Sequence, residues 1–155
     1  MTTINFRYLY KERLRRPSLL FAKWILDLIF ATQDILVIGD SHIEVFNSLH
    51  MKSLFLRKRF IVRPVIGATA SGLDNPNSKT KAFKKFWYYI KRYRTVDTVI
   101  INLGEVDVGF VIWYRAMHKK QPINDMLMMA VDNYTKFLVD LNNIKRIIII
   151  SCPLP

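Results

Sequence analysis

The sequence predicts an α/β protein, a three-layer α/β/α sandwich with a central parallel sheet. Apolar and β-branched runs at 34–38, 98–103 and 146–150 predict strands, and the first run is typical of a strand buried on both faces. Segments with helical apolar periodicity separate these runs. Strands that alternate with helices form parallel sheets through right-handed crossovers, and no internal repeat or linker divides the chain.

The composition is that of a single basic globular domain. At 155 residues and 51% hydrophobic residues, the chain can bury a sizeable core, and its formal charge of +12 indicates an anionic partner. Cys152 is the only cysteine, which excludes an intrachain disulfide and favours a reducing compartment. We therefore expect a cytoplasmic protein, with a peripheral membrane location as an option. No Cys/His cluster has metal-ligand spacing, so we expect no metal or other cofactor.

Residues 1–33 are predicted to form a basic amphipathic N-terminal helical segment. Several arginines and lysines precede an apolar run at 19–30, which Lys23 and Asp27 interrupt. This run is too short for a membrane-spanning helix, which needs roughly 20 apolar residues, and we do not interpret it as a signal peptide. The segment is expected to pack on the domain. The alternative is that it lies on an anionic membrane surface or a partner.

The first half of the domain holds two predicted strands. Strand one covers 34–38, and apolar residues between Ile43 and Phe55 then recur at helical spacing. Strand two covers 60–66. Its internal Pro64 lacks a backbone N–H and therefore predicts an edge position. Residues 68–78 are rich in Gly, Ser, Asn and Pro and predict a surface loop.

A strongly basic helix is predicted over 79–93. Its apolar positions form one stripe that should face the core: Phe83, Phe86, Trp87 and Ile90. Interleaved aromatic and cationic residues also occur in proteins that bind single-stranded nucleic acid. The core-facing interpretation is preferred, so nucleic acid is not the expected partner.

The remaining elements continue the alternation. Strand three covers 98–103, a short helix is expected over 110–119, and a long helix follows from about Met126. The three methionines of that helix are interpreted as core filler, with a methionine-rich docking groove as the alternative. Strand four covers 146–150.

Four small residues each follow a predicted strand: Ser41, Gly67, Gly104 and Ser151. In a parallel sheet all four should lie along the edge where the strands end, and ligands bind at that edge. The turn Gly39-Asp40-Ser41 would place the Ser41 hydroxyl there as a candidate nucleophile. The alternative is structural, because Asp and Ser commonly cap helices and Gly permits the turn.

These turns resemble the conserved blocks of the SGNH (GDSL-type) hydrolase and acyltransferase family. The first block is Gly39-Asp40-Ser41, the second is Gly67, and the third is Gly104-x-x-Asp107, so the resemblance spans residues 34–155. It implies a flavodoxin-like fold and a serine esterase, lipase or O-acyltransferase, in many members acting on acetyl groups of glycans. It implies no metal.

The resemblance also assigns roles to residues. Ser41 would be the catalytic nucleophile, and the backbone N–H groups of Ser41 and Gly67 would form the oxyanion hole. Val106 stands where the family places an oxyanion-binding Asn, and losing one such donor typically costs about 10² to 10³ in rate. A bacterial subgroup carries Gly-Glu-Ile-Asp here, which this chain resembles. The further site-lining residues would be Asp40, His42, Gly104, Glu105 and Asp107.

The family's acid and base come from an Asp-x-x-His block after a fifth strand, which this sequence lacks. The SGNH-like domain at 34–155 is therefore expected to be incomplete at its C-terminal end, without a fifth strand. Removing the His of a comparable triad costs on the order of 10⁶ in kcat. The chain alone should be nearly inert unless His42, His50 or His118 serves as the base.

Two functions follow as expectations. The first is an SGNH-type serine esterase or O-acyltransferase acting on an ester of a small molecule, glycan or lipid. The alternative is a non-catalytic SGNH-like module whose basic face binds an anionic polymer or membrane surface. Nucleotide binding is disfavoured, because the turns lack a phosphate-cradling glycine pattern. The sequence does not indicate an oligomeric state.

Overall fold

The structure is a computed structural model that describes residue 25, residues 33–48 and residues 58–151. The predicted helical segment at 1–33 lies outside the described residues, apart from a helical Ile25 and Gln33 at the start of the first strand. His50 and Cys152 also lie outside them. No helix in the described part of the chain combines the length and apolar character needed to cross a bilayer.

Within the described residues the sheet has four parallel strands, which confirms the predicted α/β class. They are β1 (Gln33–Gly39), β2 (Lys58–Pro64), β3 (Thr98–Asn102) and β4 (Arg146–Ile150), in the order β2-β1-β3-β4. Gly39 lies in register with Pro64 on one side and with Asn102 on the other. The carboxyl ends of the three strands therefore meet at one place.

Burial of the strands follows their position in the sheet. The central strand β3 is buried throughout, as its continuous apolar run predicts. Strand β2 lies at an edge, as Pro64 predicted. Strand β4 forms the other edge of the described sheet, and Ile148 and Ile149 are 41% and 50% exposed.

The helices of the described residues are α1 (Ala82–Arg92), α2 (Ile112–Lys119) and α3 (Ile123–Val139). A 3₁₀ helix at Ser41–Ser48 follows β1, where the sequence predicts an α-helix. A π-helical turn at Asp107–Val111 leads directly into α2, which starts two residues after its predicted start.

Apolar residues pack on both faces of the sheet. On one face, Leu36 and Ile101 form a cluster with Phe86 of α1 and Phe137 of α3. On the opposite face, Val37 and Ile100 pack with Ile43 of the 3₁₀ helix. The alternation of side chains along each strand supplies both layers.

Two predicted core positions are wrong. Phe83 was assigned to the buried stripe of α1, yet it is 37% exposed, because it packs against the edges of Trp87 and Phe137 at the rim of the cluster. Met128 is 56% exposed, whereas Met126 is buried as predicted. Two positions separate these methionines, so on an α-helix they point in different directions.

Candidate active site

Ser41 follows β1 directly after Asp40 and is exposed. The end of β1 lies very close to β3, since a Cβ on Gly39 would overlap the carbonyl oxygen of Asn102 and lie 2.7 Å from Ile43 Cγ2. Only glycine fits this approach. The Asp40 backbone N–H donates to the same carbonyl oxygen at 3.3 Å. The tight turn thus places Ser41 at the carboxyl edge of the sheet, in contact with solvent.

Asp40 fixes the position of His42. The Asp40 side chain is fully buried, and its Oδ1 accepts a hydrogen bond from the His42 backbone N–H at 2.9 Å. The same oxygen lies 2.9 Å from His42 Nδ1. A carboxylate in this relation to an imidazole orients the ring and selects which nitrogen carries the proton. Asp40 therefore orients His42, the residue that follows Ser41.

Glu105 contacts the same ring from the segment that follows the neighbouring strand β3. Its Oε1 lies 3.3 Å from His42 Nε2, and the side chains of His42 and Glu105 are 45% and 34% exposed. Glu105 comes after Gly104, whose φ of 113° is in the region that favours glycine. The structure thus brings together Asp40, His42 and Glu105, three of the predicted site-lining residues.

Asp107 connects the third block to the second. Its side chain is buried, and its two oxygens accept hydrogen bonds from the backbone N–H groups of Ala70 at 2.6 Å and Ser71 at 3.1 Å. Gly67, with a φ of 71°, opens the loop that contains these donors. Asp107 therefore has a structural role in this arrangement, because it fixes the loop next to the predicted oxyanion hole.

Asn102, the last residue of β3, was not predicted as a site residue. Asn102 Oδ1 and Asp40 Oδ2 are buried, and neither finds a hydrogen-bond partner within the described part of the chain. Buried acceptors are normally paired. The two side chains belong to adjoining strand ends, where the Asp40 N–H donates to the Asn102 carbonyl. These two buried oxygens, next to Ser41, can therefore still accept hydrogen bonds. The signal available in the sequence was that the polar Asn102 directly follows the apolar run Val99-Ile100-Ile101.

The other predicted residues are less closely connected. Across residues 33–48 and 58–151, no hydrogen bond or ion pair joins His118 to Ser41, and the His118 ring instead packs 4.2 Å from that of Tyr114. Nor does the Ser41 hydroxyl form a hydrogen bond there. Within the same ranges, no group of three His, Cys, Asp or Glu side chains could hold a metal ion.

Comparison of the chain with protein-family models, with curated proteins and with solved structures found no match. The SGNH resemblance depends on its three sequence blocks and stays a prediction.

Proposed function

We propose that this chain carries SGNH-type serine ester chemistry, either hydrolysis or O-acyl transfer, on an acyl ester of a glycan or lipid. The observation that supports the proposal is the solvent contact of Ser41 next to a histidine placed between two carboxylates. A nucleophile, an oriented base and backbone donors at one sheet edge are the parts that acyl transfer requires.

In the proposed reaction, Ser41 Oγ loses its proton to a base and attacks the ester carbonyl carbon. The carbonyl oxygen becomes an oxyanion, to which the backbone N–H groups of Ser41 and Gly67 donate. The C–O bond then breaks, the alcohol leaves with the proton, and an acyl-serine remains. Water completes hydrolysis by attacking the acyl-serine, and a sugar hydroxyl would complete transfer. Val106 supplies no side-chain donor, so we expect a slow enzyme.

His42 is the proposed base. In its neutral form, Nδ1–H donates to Asp40 and Nε2 accepts the serine proton, as in other oriented imidazoles. Because Nε2 lies next to Glu105, the Glu105 side chain must move aside for this step. The alternative base is a histidine supplied by an Asp-x-x-His segment, the source of the base in the SGNH family.

Labelling with a fluorophosphonate probe tests the nucleophile. The wild type should be labelled, and Ser41→Ala should not. Ser151→Ala is the matched control, since Ser151 is another exposed serine that follows a strand at the same sheet edge. Labelling that persists in Ser41→Ala would contradict the proposal. So would the absence of labelling both in this chain and in a longer chain that contains an Asp-x-x-His segment.

A non-catalytic module that binds an anionic polymer or membrane surface is the second candidate. The charge of +12 favours it, and α1 contains four Lys or Arg residues and no Asp or Glu. The Tyr93 side chain raises the pKa of Arg92, although an arginine is charged at neutral pH without such a shift. Salt-sensitive retention on heparin that is unchanged in Ser41→Ala would support this function.

A further inference from the structure

A groove on the outer side of α1 has the features of a ligand site. It has a volume of about 660 Å³ and is lined by Phe83, Lys84, Trp87, Tyr88, Lys91 and Asp140. The first five belong to α1 and recur at spacings of three and four residues, which places them on one face of the helix. Asp140 follows the end of α3.

The aromatic side chains of this groove are held in place from below. The rings of Phe83 and Trp87 lie 6.1 and 6.4 Å from that of the buried Phe137, and 6.2 Å from each other. Phe83 is 37% exposed and Tyr88 is 57% exposed. Rings that packing has already ordered lose little conformational entropy when a ligand covers them. The groove therefore presents a preformed apolar floor.

The lysines of the groove have no acidic partner. Lys84 and Lys91 are exposed and form no ion pair with any described residue, whereas Lys136 and Lys145 pair with Asp74 and Asp97. Seven residues separate Lys84 from Lys91, which corresponds to roughly 10 Å along the helix axis. Two unpaired cations at this separation match the repeated negative charges of a polymer.

A second cavity of about 250 Å³ extends the groove toward the loop that follows β2. It shares Phe83 and Lys84 with the groove, and its other polar lining residues include Lys81, Asp74, Asn75 and Ser78. Phe83 and Lys84 thus link the two cavities, which together we call the α1 track.

We propose that the α1 track binds an acidic polysaccharide, a polymer with many hydroxyl groups and repeated carboxylates. The aromatic rings would cover the apolar faces of sugar rings, and the lysines would pair with the carboxylates. Asp74, Asn75 and Asp140 would accept hydrogen bonds from sugar hydroxyls. This inference does not depend on ester chemistry at Ser41; it rests on the second candidate function and names the polymer class that the basic helix α1 would bind.

The charges on the track favour this occupant over single-stranded nucleic acid. Asp140 lines the larger cavity, and its carboxylate repels closely spaced phosphates more strongly than the widely spaced carboxylates of an acidic polysaccharide. A hydroxyl-rich ligand can also donate a hydrogen bond to this carboxylate.

The experiment measures binding of a hyaluronan decasaccharide to the full chain by isothermal titration calorimetry. The double variant Lys84→Gln/Lys91→Gln should bind at least about tenfold more weakly. Its control, Lys119→Gln/Lys120→Gln, removes the same charge from exposed positions at the end of α2 and should bind within twofold of the wild type. Tyr88→Ala should also weaken binding, and Ser41→Ala should bind like the wild type.

Three results would overturn the inference. One is an equal loss in the two double variants, which would show that only net charge matters. The second is tighter binding of a poly-dT oligonucleotide or of phosphatidylserine vesicles than of the decasaccharide. The third is the absence of binding by the wild type at low salt. Failure of ester chemistry would leave all of these measurements unchanged, because Ser41 takes no part in them.

Discussion

The carboxylate of Asp107 accepts a hydrogen bond from the backbone N–H of Ala70 at 2.6 Å, and both residues are buried. This contact joins the segment after β3 to the loop after β2, although the two are far apart in sequence. The position of Gly67 and its loop thus depends on a side chain that would not itself touch substrate.

Replacing Asp107 should destabilise the fold as well as the site. Asp107→Ala leaves two buried N–H donors without an acceptor, at roughly 1 to 3 kcal/mol each. We expect the free energy of unfolding to fall by about 2 to 6 kcal/mol in urea denaturation monitored by circular dichroism. Asp107→Asn keeps one acceptor oxygen and should lose less. Wild-type stability in Asp107→Ala would contradict this role.

Gly39 and Gly109 form a matched pair for testing the close approach of β1 and β3. An added methyl group on Gly39 meets Asn102 and Ile43, whereas one on Gly109 meets nothing within 4 Å. Gly39→Ala should therefore cost about 3 kcal/mol or more through overpacking and backbone displacement. Gly109→Ala should be neutral or slightly stabilising, because Ala is the better helix former. Equal thermal melting temperatures for the two variants would show that the strands are not in close contact.

The contacts of His42 predict opposite effects for two substitutions. His42→Gln removes the proposed base and should slow fluorophosphonate labelling by about 10² to 10⁴. Glu105→Gln should label as fast as the wild type or faster, since a neutral amide binds the ring nitrogen less strongly than a carboxylate does. If His42→Gln is labelled at the wild-type rate, His42 is not the base and another residue must serve.

The exposed edge strand β4 predicts concentration-dependent self-association. Ile148 and Ile149 present apolar surface on opposite faces of a strand that pairs on one side only among the described residues. Ile149→Lys should reduce association severalfold in sedimentation velocity runs over a range of concentrations. Met117→Lys adds the same charge at an exposed position of α2 and should have little effect. If both variants associate equally, the edge is not the contact.

The strands were predictable because their apolar runs are long and have clear ends. Gly39 and Gly104 indicated where β1 and β3 stop, and Pro64 indicated an edge, each for a local steric reason. The π-helical turn at Asp107–Val111 has no comparable local signal. Phe83 was misassigned because the ring that decides its burial, Phe137, belongs to a distant helix.

The sequence indicated that the candidate site residues share one sheet edge but did not indicate their contacts. His42 and Glu105 were named through the SGNH resemblance, and the order of the strands puts the segments after β1 and β3 side by side. That the His42 ring lies between Asp40 and Glu105 depends on side-chain directions in a tight turn. The buried Asn102 was missed, because a polar residue at the end of a strand is also common in ordinary turns.

The pairing of β1 also constrains how the nascent chain folds. Ile35 lies in register with Thr98, and β1 cannot acquire this neighbour until β3 has left the ribosome. Non-local pairing of this kind slows folding, because a long loop must close before the contact forms. During translation the apolar run 35–38 of β1 therefore stays without its β3 neighbour until residues 98–102 have been synthesised.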